Sequence, residues 1–450
     1  MDNKLAMESR RSVLKKCALV TAGVAAASVG GRGSAPRAEA APLVGGKGKA
    51  ELPKARGPRL VIVGAGTSGL TIAKHAKRAY PKFDVVVVDR RDMYASCFTS
   101  NLWYDDLINL EFRANYSFLD AARNHKFVYF SATATGLDRA ARRLYTNLGE
   151  IGYDFLVVAP GIDYDYGRIG VKEPEVEYAL RTAYPGGFVM PTEHVTIRNK
   201  VHSFEGGIFV QTVPSGNYRC LPAPDERACM IASWFKRKSI KGKVLVLDAN
   251  PDITIKAKGF HAAFDQLYKD IIEYKPSVEI KSVDVEKRLL KTEFTSYGFD
   301  DAAIYPGVRA GLLIEQMGLV DRQSPQKEAR IDPYYYNVPG DEHVYVTGDA
   351  RPMPYSKSAN TANSEGAYVA KVLAARAQNK KIPWESPETL CYSMVNGSPT
   401  EAIAVDAHYA YDKKTKSFQF ANVKLFEQRD HAMAEAYLEW ARGLFRDMFA

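Results

Sequence analysis

The run Arg59-Leu60-Val61-Ile62-Val63 leads directly into Gly64-Ala65-Gly66-Thr67-Ser68-Gly69, and a helical pattern begins at Leu70. A short apolar run closed by glycines predicts a buried strand. The first glycine permits the tight turn, the second lets a pyrophosphate approach the backbone, and the third lets helix and strand pack closely. The helix N-terminus then faces the phosphate charge. A second apolar run, Asp84 to Val88, ends in Asp89, twenty residues beyond Gly69. An acidic side chain there can accept hydrogen bonds from a ribose diol. Strand, glycines, helix, strand and acid in that order predict a dinucleotide site on Gly64, Ala65, Gly66, Ser68, Gly69 and Asp89. The chain is therefore expected to be α/β.

At 450 residues it exceeds what one hydrophobic core fills, so more than one domain is expected. The net charge of +9 is not a nucleic-acid signature, because residues 1–40 alone carry +4 and the remaining +5 is scattered. Those first forty residues have their own logic. Arg10-Arg11 precedes a weakly apolar Ala- and Gly-rich stretch, Cys17 to Gly31, and Ala38-Glu39-Ala40 offers a small-x-small cleavage site. This pattern predicts a twin-arginine export signal and a periplasmic destination. A linker over 41–58 follows. No later stretch approaches eighteen consecutive apolar residues, so no membrane span is expected.

Two further strands end in turns. Asp154-Phe155-Leu156-Val157-Val158 runs into Ala159-Pro160-Gly161, and His343-Val344-Tyr345-Val346-Thr347 into Gly348-Asp349-Ala350. In order and separation they resemble the paired motifs of two-dinucleotide-domain flavoproteins. That resemblance implies FAD, with Ala159, Gly161, Gly348 and Asp349 at the cofactor. Between them, Lys243-Val244-Leu245-Val246-Leu247-Asp248 opens a second α/β unit whose turn reads Ala249-Asn250-Pro251-Asp252. Pro251 removes a donor and the glycines are missing, so no ordinary phosphate cradle is expected and NAD(P)H is not the expected electron partner. The predicted architecture is two Rossmann-like domains plus a smaller C-terminal α+β domain. A flavin domain (59–168 and 301–380) is split by a degenerate NAD-like domain (169–300), and an interface domain occupies 381–450.

Outside the leader four cysteines remain: Cys97, Cys220, Cys229 and Cys391. Wide spacing argues against a disulfide scaffold, and the absence of paired C-x-x-C motifs argues against zinc. No metal is expected. The residues alone leave Cys220 and Cys391 open between buried small hydrophobe and reactive thiol. Cys220 precedes a predicted amphipathic helix, roughly Glu226 to Lys238, and Cys229 on that helix is read as a buried free cysteine.

The whole pattern resembles the flavin subunit of flavocytochrome c sulfide dehydrogenase, from Arg59 to Ala450. The stretches that carry it are Gly64 to Gly69, Tyr94 to Asn101, Arg219-Cys220 through Glu226-Arg227, Leu245 to Asp252, Lys357-Ser358 through Ser364, Cys391-Tyr392-Ser393, and the aromatic tail Phe445 to Phe449. The resemblance implies a redox-active Cys220–Cys391 disulfide, FAD joined covalently to Cys97, and Glu226 as a carboxylate beside the disulfide. It also implies Lys357 near the pyrimidine end of the flavin. Hydrosulfide would open the disulfide, and electrons would pass through FAD to a c-type cytochrome subunit. Leu221, Ala223 and Asp225 depart from the Pro, Gly and Tyr expected around the first cysteine, with the cysteine-to-acid spacing kept. The alternatives are a sulfide:quinone oxidoreductase at a membrane surface and a non-catalytic flavoprotein binding module. The amphipathic last helix is expected to cover the flavin domain, pack on a partner or touch a membrane, in that order.

Overall fold

The computed structural model describes residue 46 and residues 48–450 apart from 353, 383 and 416. The predicted export signal lies outside the described residues.

Five parallel strands form the first sheet, in the spatial order Val344–Val346, Phe155–Val158, Arg59–Val63, Asp84–Asp89, Val128–Ser131. The Val, Ile and Leu of the first four are buried, as helices or loops on both faces of a parallel sheet require, and the edge strand Val128–Ser131 is partly exposed. The order reverses at Arg59–Val63, and such a switch point opens a crevice at the carboxyl ends of the strands. The helix after the glycine turn, Thr67–Ala79, packs on Ala359–Ala377 from the far end of the chain. Two stretches with the whole second sheet between them in the chain thus build one unit.

The second sheet is also parallel, in the order Ile272–Lys275, Lys241–Asp248, Gly206–Val213, Asp301–Ala303. It takes in one strand past the boundary expected at residue 300. An antiparallel pair, Ile162–Asp165 with Gly307–Ala310, lies between the two sheets in chain order. The helix that follows Cys220 spans Ala223–Lys238 and is buried through Phe235. That differs from the amphipathic helix expected. Asp225, Glu226 and Arg227 are charged, but the helix is enclosed on every side and all three side chains are buried. Only the last turn, Lys236 to Lys238, is solvated.

The C-terminal part is an antiparallel meander, Glu388–Gly397, Thr400–Asp412 and Ser417–Asp430, followed by a helix over His431–Phe449. Asp430 caps that helix by accepting from the Met433 amide at 2.7 Å. Its inner face, including Tyr437, Leu444, Phe445, Met448 and Phe449, is buried. Phe445 stacks on Tyr116 with centroids 4.3 Å apart, and Lys74 reaches the carbonyl of Asp447 at 2.6 Å. Each buried aromatic or aliphatic side chain there contributes roughly 1.5–3 kcal/mol at most. The helix covers the first unit, the first of its three expected roles. The strand before it is the contrasting surface: Phe420, Val423, Leu425 and Phe426 are each about half exposed.

Candidate active site

A cavity of about 510 Å³ opens at the carboxyl edge of the five-stranded sheet, where Val63, Val88 and Ala159 end their strands. Gly64 and Gly66 line it. Gly64 has φ +103°, and a Cβ there would meet the Ala159 carbonyl at 2.3 Å. A Cβ on Gly69 would sit 1.9 Å from the Gly64 carbonyl, which is the close helix–strand contact the motif predicts. Gly66 faces no atom within 4 Å, so its backbone stands open to a ligand. The helix starting at Thr67 carries no acid in its first turn. Phosphates fit this cradle.

The remaining cofactor residues fall into two ranks. Asp89, Cys97, Ala159, Gly161 and Lys357 line the cavity with the glycines. Ala65, Ser68, Gly69, Gly348 and Asp349 stand behind it and hold it together. The Ala65 amide donates to Asp89 at 2.7 Å, and the Ser68 hydroxyl pairs with Thr347 at 2.8 Å. Asp89 also accepts from Arg91, which outweighs the effect of burial and keeps its carboxyl below the usual range.

Two of the implied roles look different in three dimensions. Asp349, expected at the flavin chain, is ion-paired through Oδ2 with Arg219 Nε at 3.0 Å. Lys357, expected to offer positive charge to the ring, is buried, and its Nζ donates to Glu328 at 2.5 Å and to the Asp349 carbonyl at 2.8 Å. Its charge is neutralised behind the wall. The cation facing the cavity at this point is Arg219, whose guanidinium also donates to the Phe188 carbonyl at 2.7 Å.

Cys220, Cys391 and Glu226 line the same cavity. Cys220 sits in a left-handed turn, φ +57°, pinned by its amide donating to the Lys357 carbonyl at 2.8 Å. Cys391 comes from the first strand of the meander. Neither sulfur is bonded to another in this structure. The two interact directly: hydrogen bonding from Cys220 holds Cys391 below the ordinary thiol range, and the same contact with burial pushes Cys220 well up.

Glu226 is buried, with Oε2 accepting from Asn101 at 2.7 Å and Oε1 from the Met394 amide at 2.8 Å. Burial pushes its carboxyl up to about 7, against the help of those two donors and with the Cys391 sulfur adding to the rise. A carboxyl held near neutrality in a cleft can give or take a proton. Cys229 is fully buried and its thiol is pushed well up by burial, as a structural cysteine's would be.

Several site residues were not singled out from sequence. Asn101 ends the stretch Tyr94 to Asn101 with no local pattern to mark it, yet it orients Glu226 and accepts from Arg227 Nε at 3.3 Å. Tyr437 lines the cavity and donates to the Phe98 carbonyl at 2.6 Å. Lys256 is 1% exposed and donates to Ser393 Oγ at 2.7 Å and the Cys391 carbonyl at 3.3 Å. In sequence it lies four residues past the degenerate second turn and carries no pattern of its own. Glu388, Asp406 and His408 bring ligand atoms within 4.8 Å of one another, half-buried on the meander. Among the described residues no helix is long and apolar enough to cross a membrane.

Three family descriptions match parts of the chain. Residues 195–304 match the central part of the sulfide dehydrogenase (flavocytochrome c) flavoprotein chain, and residues 385–449 its flavin-binding part. Residues 62–126 match an NAD(P)-binding Rossmann-like domain. The mitochondrial sulfide:quinone oxidoreductases of Dictyostelium discoideum and Schizosaccharomyces pombe are each 25% identical, over 41% and 52% of this chain and 40% and 52% of theirs. The chain thus spans about half or less of the length of the curated relatives it matches. The structure of the sulfide:quinone oxidoreductase from Aquifex aeolicus superposes with a TM-score of 0.68 at 12% identity, covering 87% of this chain and 91% of that one. The fold expected from sequence, a two-dinucleotide flavoprotein with an added C-terminal strand domain, is therefore borne out. So is the resemblance to the flavocytochrome c sulfide dehydrogenase flavoprotein, which carries a flavin-binding domain.

Proposed function

We propose that this protein is a sulfide-oxidising flavoprotein whose Cys220–Cys391 pair takes electrons from hydrosulfide and whose final acceptor is a c-type cytochrome subunit. One observation carries the reading: a single cavity is lined by the glycine turn, by Cys97, and by Cys220, Cys391 and Glu226. One bound molecule can reach all of them.

In the oxidised pair, hydrosulfide attacks a disulfide sulfur, leaving one cysteine as a persulfide and the other as a thiolate. Glu226, held near neutrality, takes the proton of incoming hydrogen sulfide on a carboxylate oxygen, so the nucleophile forms inside the site. A second hydrosulfide attacks the outer persulfide sulfur and frees the cysteine, carrying the sulfur off as a polysulfide. FAD, when bound, supplies the two-electron acceptor for the thiol pair and the one-electron exit to a haem. Gly64 and Gly66 would hold its pyrophosphate and Asp89 its ribose, and Cys97 would bond its ring covalently. Arg219, itself paired with Asp349 but less buried than Lys357, lines the cavity and would offer its outer face to a reduced, anionic ring.

The Arg10-Arg11 leader supports export to the periplasm, where a cytochrome is a natural one-electron partner. A second reading, electron transfer to a quinone at a membrane surface, draws on the half-exposed strip Phe420, Val423, Leu425 and Phe426. Stopped-flow absorbance separates them. After sulfide addition, haem reduction following flavin bleaching supports the first reading. Rapid reduction of a quinone analogue, with no cytochrome able to accept electrons, would establish the second. Acid precipitation tests the covalent link: yellow colour should stay with the polypeptide and be released by Cys97→Ser.

A further inference from the structure

Lys256 is an unusual cation. Its side chain is buried, and it sits in a left-handed turn, φ +61°, at the start of the helix Ala257–Leu267. Its ammonium donates to the Ser393 hydroxyl and the Cys391 carbonyl, and among the described residues no carboxylate lies within ion-pairing distance of it. A buried charge without a counter-ion is costly, whereas the nearby Arg351 and Lys357 are each matched to a glutamate. Asp225, equally buried on the cysteine helix, has both carboxylate oxygens without a partner, so an acid close enough to feel Lys256 is nevertheless not joined to it. The positive charge is left facing the strand that carries Cys391.

We propose that Lys256 is a positioning residue that makes Cys391 the sulfur that leaves as thiolate, and so makes Cys220 the sulfur that hydrosulfide attacks. The inference rests on the proposed sulfide chemistry for its consequence, but not for the charge on Cys391 itself. Hydrosulfide sulfur bonds to Cys220 Sγ and the Cys220–Cys391 bond breaks. Its electron pair stays on Cys391 Sγ, and Cys220 becomes –S–SH. One negative charge enters and one remains, with no proton or further oxidant needed. The groups that face Cys391 divide by sign. Glu226 and Tyr437 oppose a thiolate when ionised, Cys220 donates to it, and Lys256 is the cation among them.

The test uses anaerobic holoprotein reduced with a phosphine and alkylated with iodoacetamide across pH ~5 to 9, with adducts on Cys391 and Cys220 counted by peptide mass spectrometry. Cys391 should react as thiolate at lower pH than Cys220. Lys256→Met should move the Cys391 midpoint up by about one pH unit, a tenfold loss of thiolate at fixed pH, and Lys256→Arg should restore it. A Lys256→Met protein with normal flavin content whose Cys391 titrates as in the parent overturns the assignment. Should that variant not fold, Ser393→Ala loosens the same ammonium and should give a smaller upward shift, and no shift counts against the proposal equally. One equivalent of sulfide added to the oxidised protein should leave the persulfide on Cys220, and a persulfide on Cys391 refutes the polarity. If the alkylation results hold while sulfide leaves no persulfide on either cysteine, the sulfide reading fails and the role of Lys256 in charging Cys391 stands.

Discussion

The two parallel sheets place the same device, a strand running through a turn into a helix, at corresponding points, and use it for different ends. After Arg59–Val63 the turn is open. Gly66 has free space beside it, and the helix N-terminus faces a cavity. After Lys241–Asp248 the turn is closed on itself. Asp248 accepts from the Asn250 amide at 2.8 Å, from Asn250 Nδ2 at 2.7 Å and from the Tyr274 hydroxyl at 2.8 Å. The strand-end carboxylate is thereby committed to its own turn and the neighbouring strand, at the point where the first unit offers glycine backbone. The helix that follows starts from Lys256, whose side chain serves the Cys391 strand instead of a phosphate. Two units can thus share a strand–turn–helix core and differ in the turn, because strand burial and turn chemistry are separate sources of constraint.

The sharpest way to break the comparison is at the thiols. Cys220→Ala or Cys391→Ala should leave the bound flavin spectrum in place while slowing its bleaching by sulfide on the order of 10³-fold or more, since two groups acting as a unit fail together. Flavin that still bleaches at the parent rate in either variant would separate the thiols from the flavin site.

The first turn comes next. Gly64→Ala puts a methyl against the Ala159 carbonyl and forces an unfavourable backbone angle, at an expected cost of about 2–5 kcal/mol in urea unfolding. Gly66→Ala meets open space, so stability should stay within ~1 kcal/mol while flavin is retained poorly, because the methyl enters the phosphate's approach. Equal stability losses in the two variants would show that the cradle is merely structural.

Glu226→Gln should slow flavin bleaching by about 10²-fold and remove the limb of the pH–rate profile near 7. The same raised carboxyl gives a stability signature. Between pH ~4.5 and 7 the folded protein holds a proton there that the unfolded chain has released, so stability is full below that window and falls as pH rises through it. The loss is on the order of 3 kcal/mol, and it should be absent from the Gln variant. A pH–rate limb unchanged by Glu226→Gln would remove Glu226 from the proton path.

Asp225→Asn carries the smallest effect. Burial drives this carboxyl well above its usual range, and neither oxygen has a partner. The parent therefore loses stability as pH rises above the ordinary carboxyl range. The variant should be about 1–3 kcal/mol more stable than the parent at alkaline pH, with turnover kept. Lost turnover with intact folding would make Asp225 part of the chemistry and not a residue of the scaffold.

How far the sequence could be read follows the same division. The glycine turn, Asp89 and the strand ends were legible because a phosphate cradle needs fixed residue types at fixed local spacing. The second unit was recognisable by its strand and its missing glycines for the same reason. The burial of Asp225, Glu226 and Arg227 was not legible, because charged residues read as solvated until neighbouring elements enclose the helix. That Glu328, twenty-nine residues earlier in the chain, pairs with Lys357 was likewise beyond any local pattern. Asn101 and Lys256 reach their partners only through long-range packing, which no local pattern encodes.

The most direct test sets the two turns against each other in one cuvette. Native holoprotein, anaerobic, receives one equivalent of sulfide or of NADH while the flavin absorbance is followed. An open first turn that shares its cavity with the thiols, and a closed second turn, predict bleaching by sulfide and none by NADH. Bleaching by NADH with sulfide inert would contradict the account.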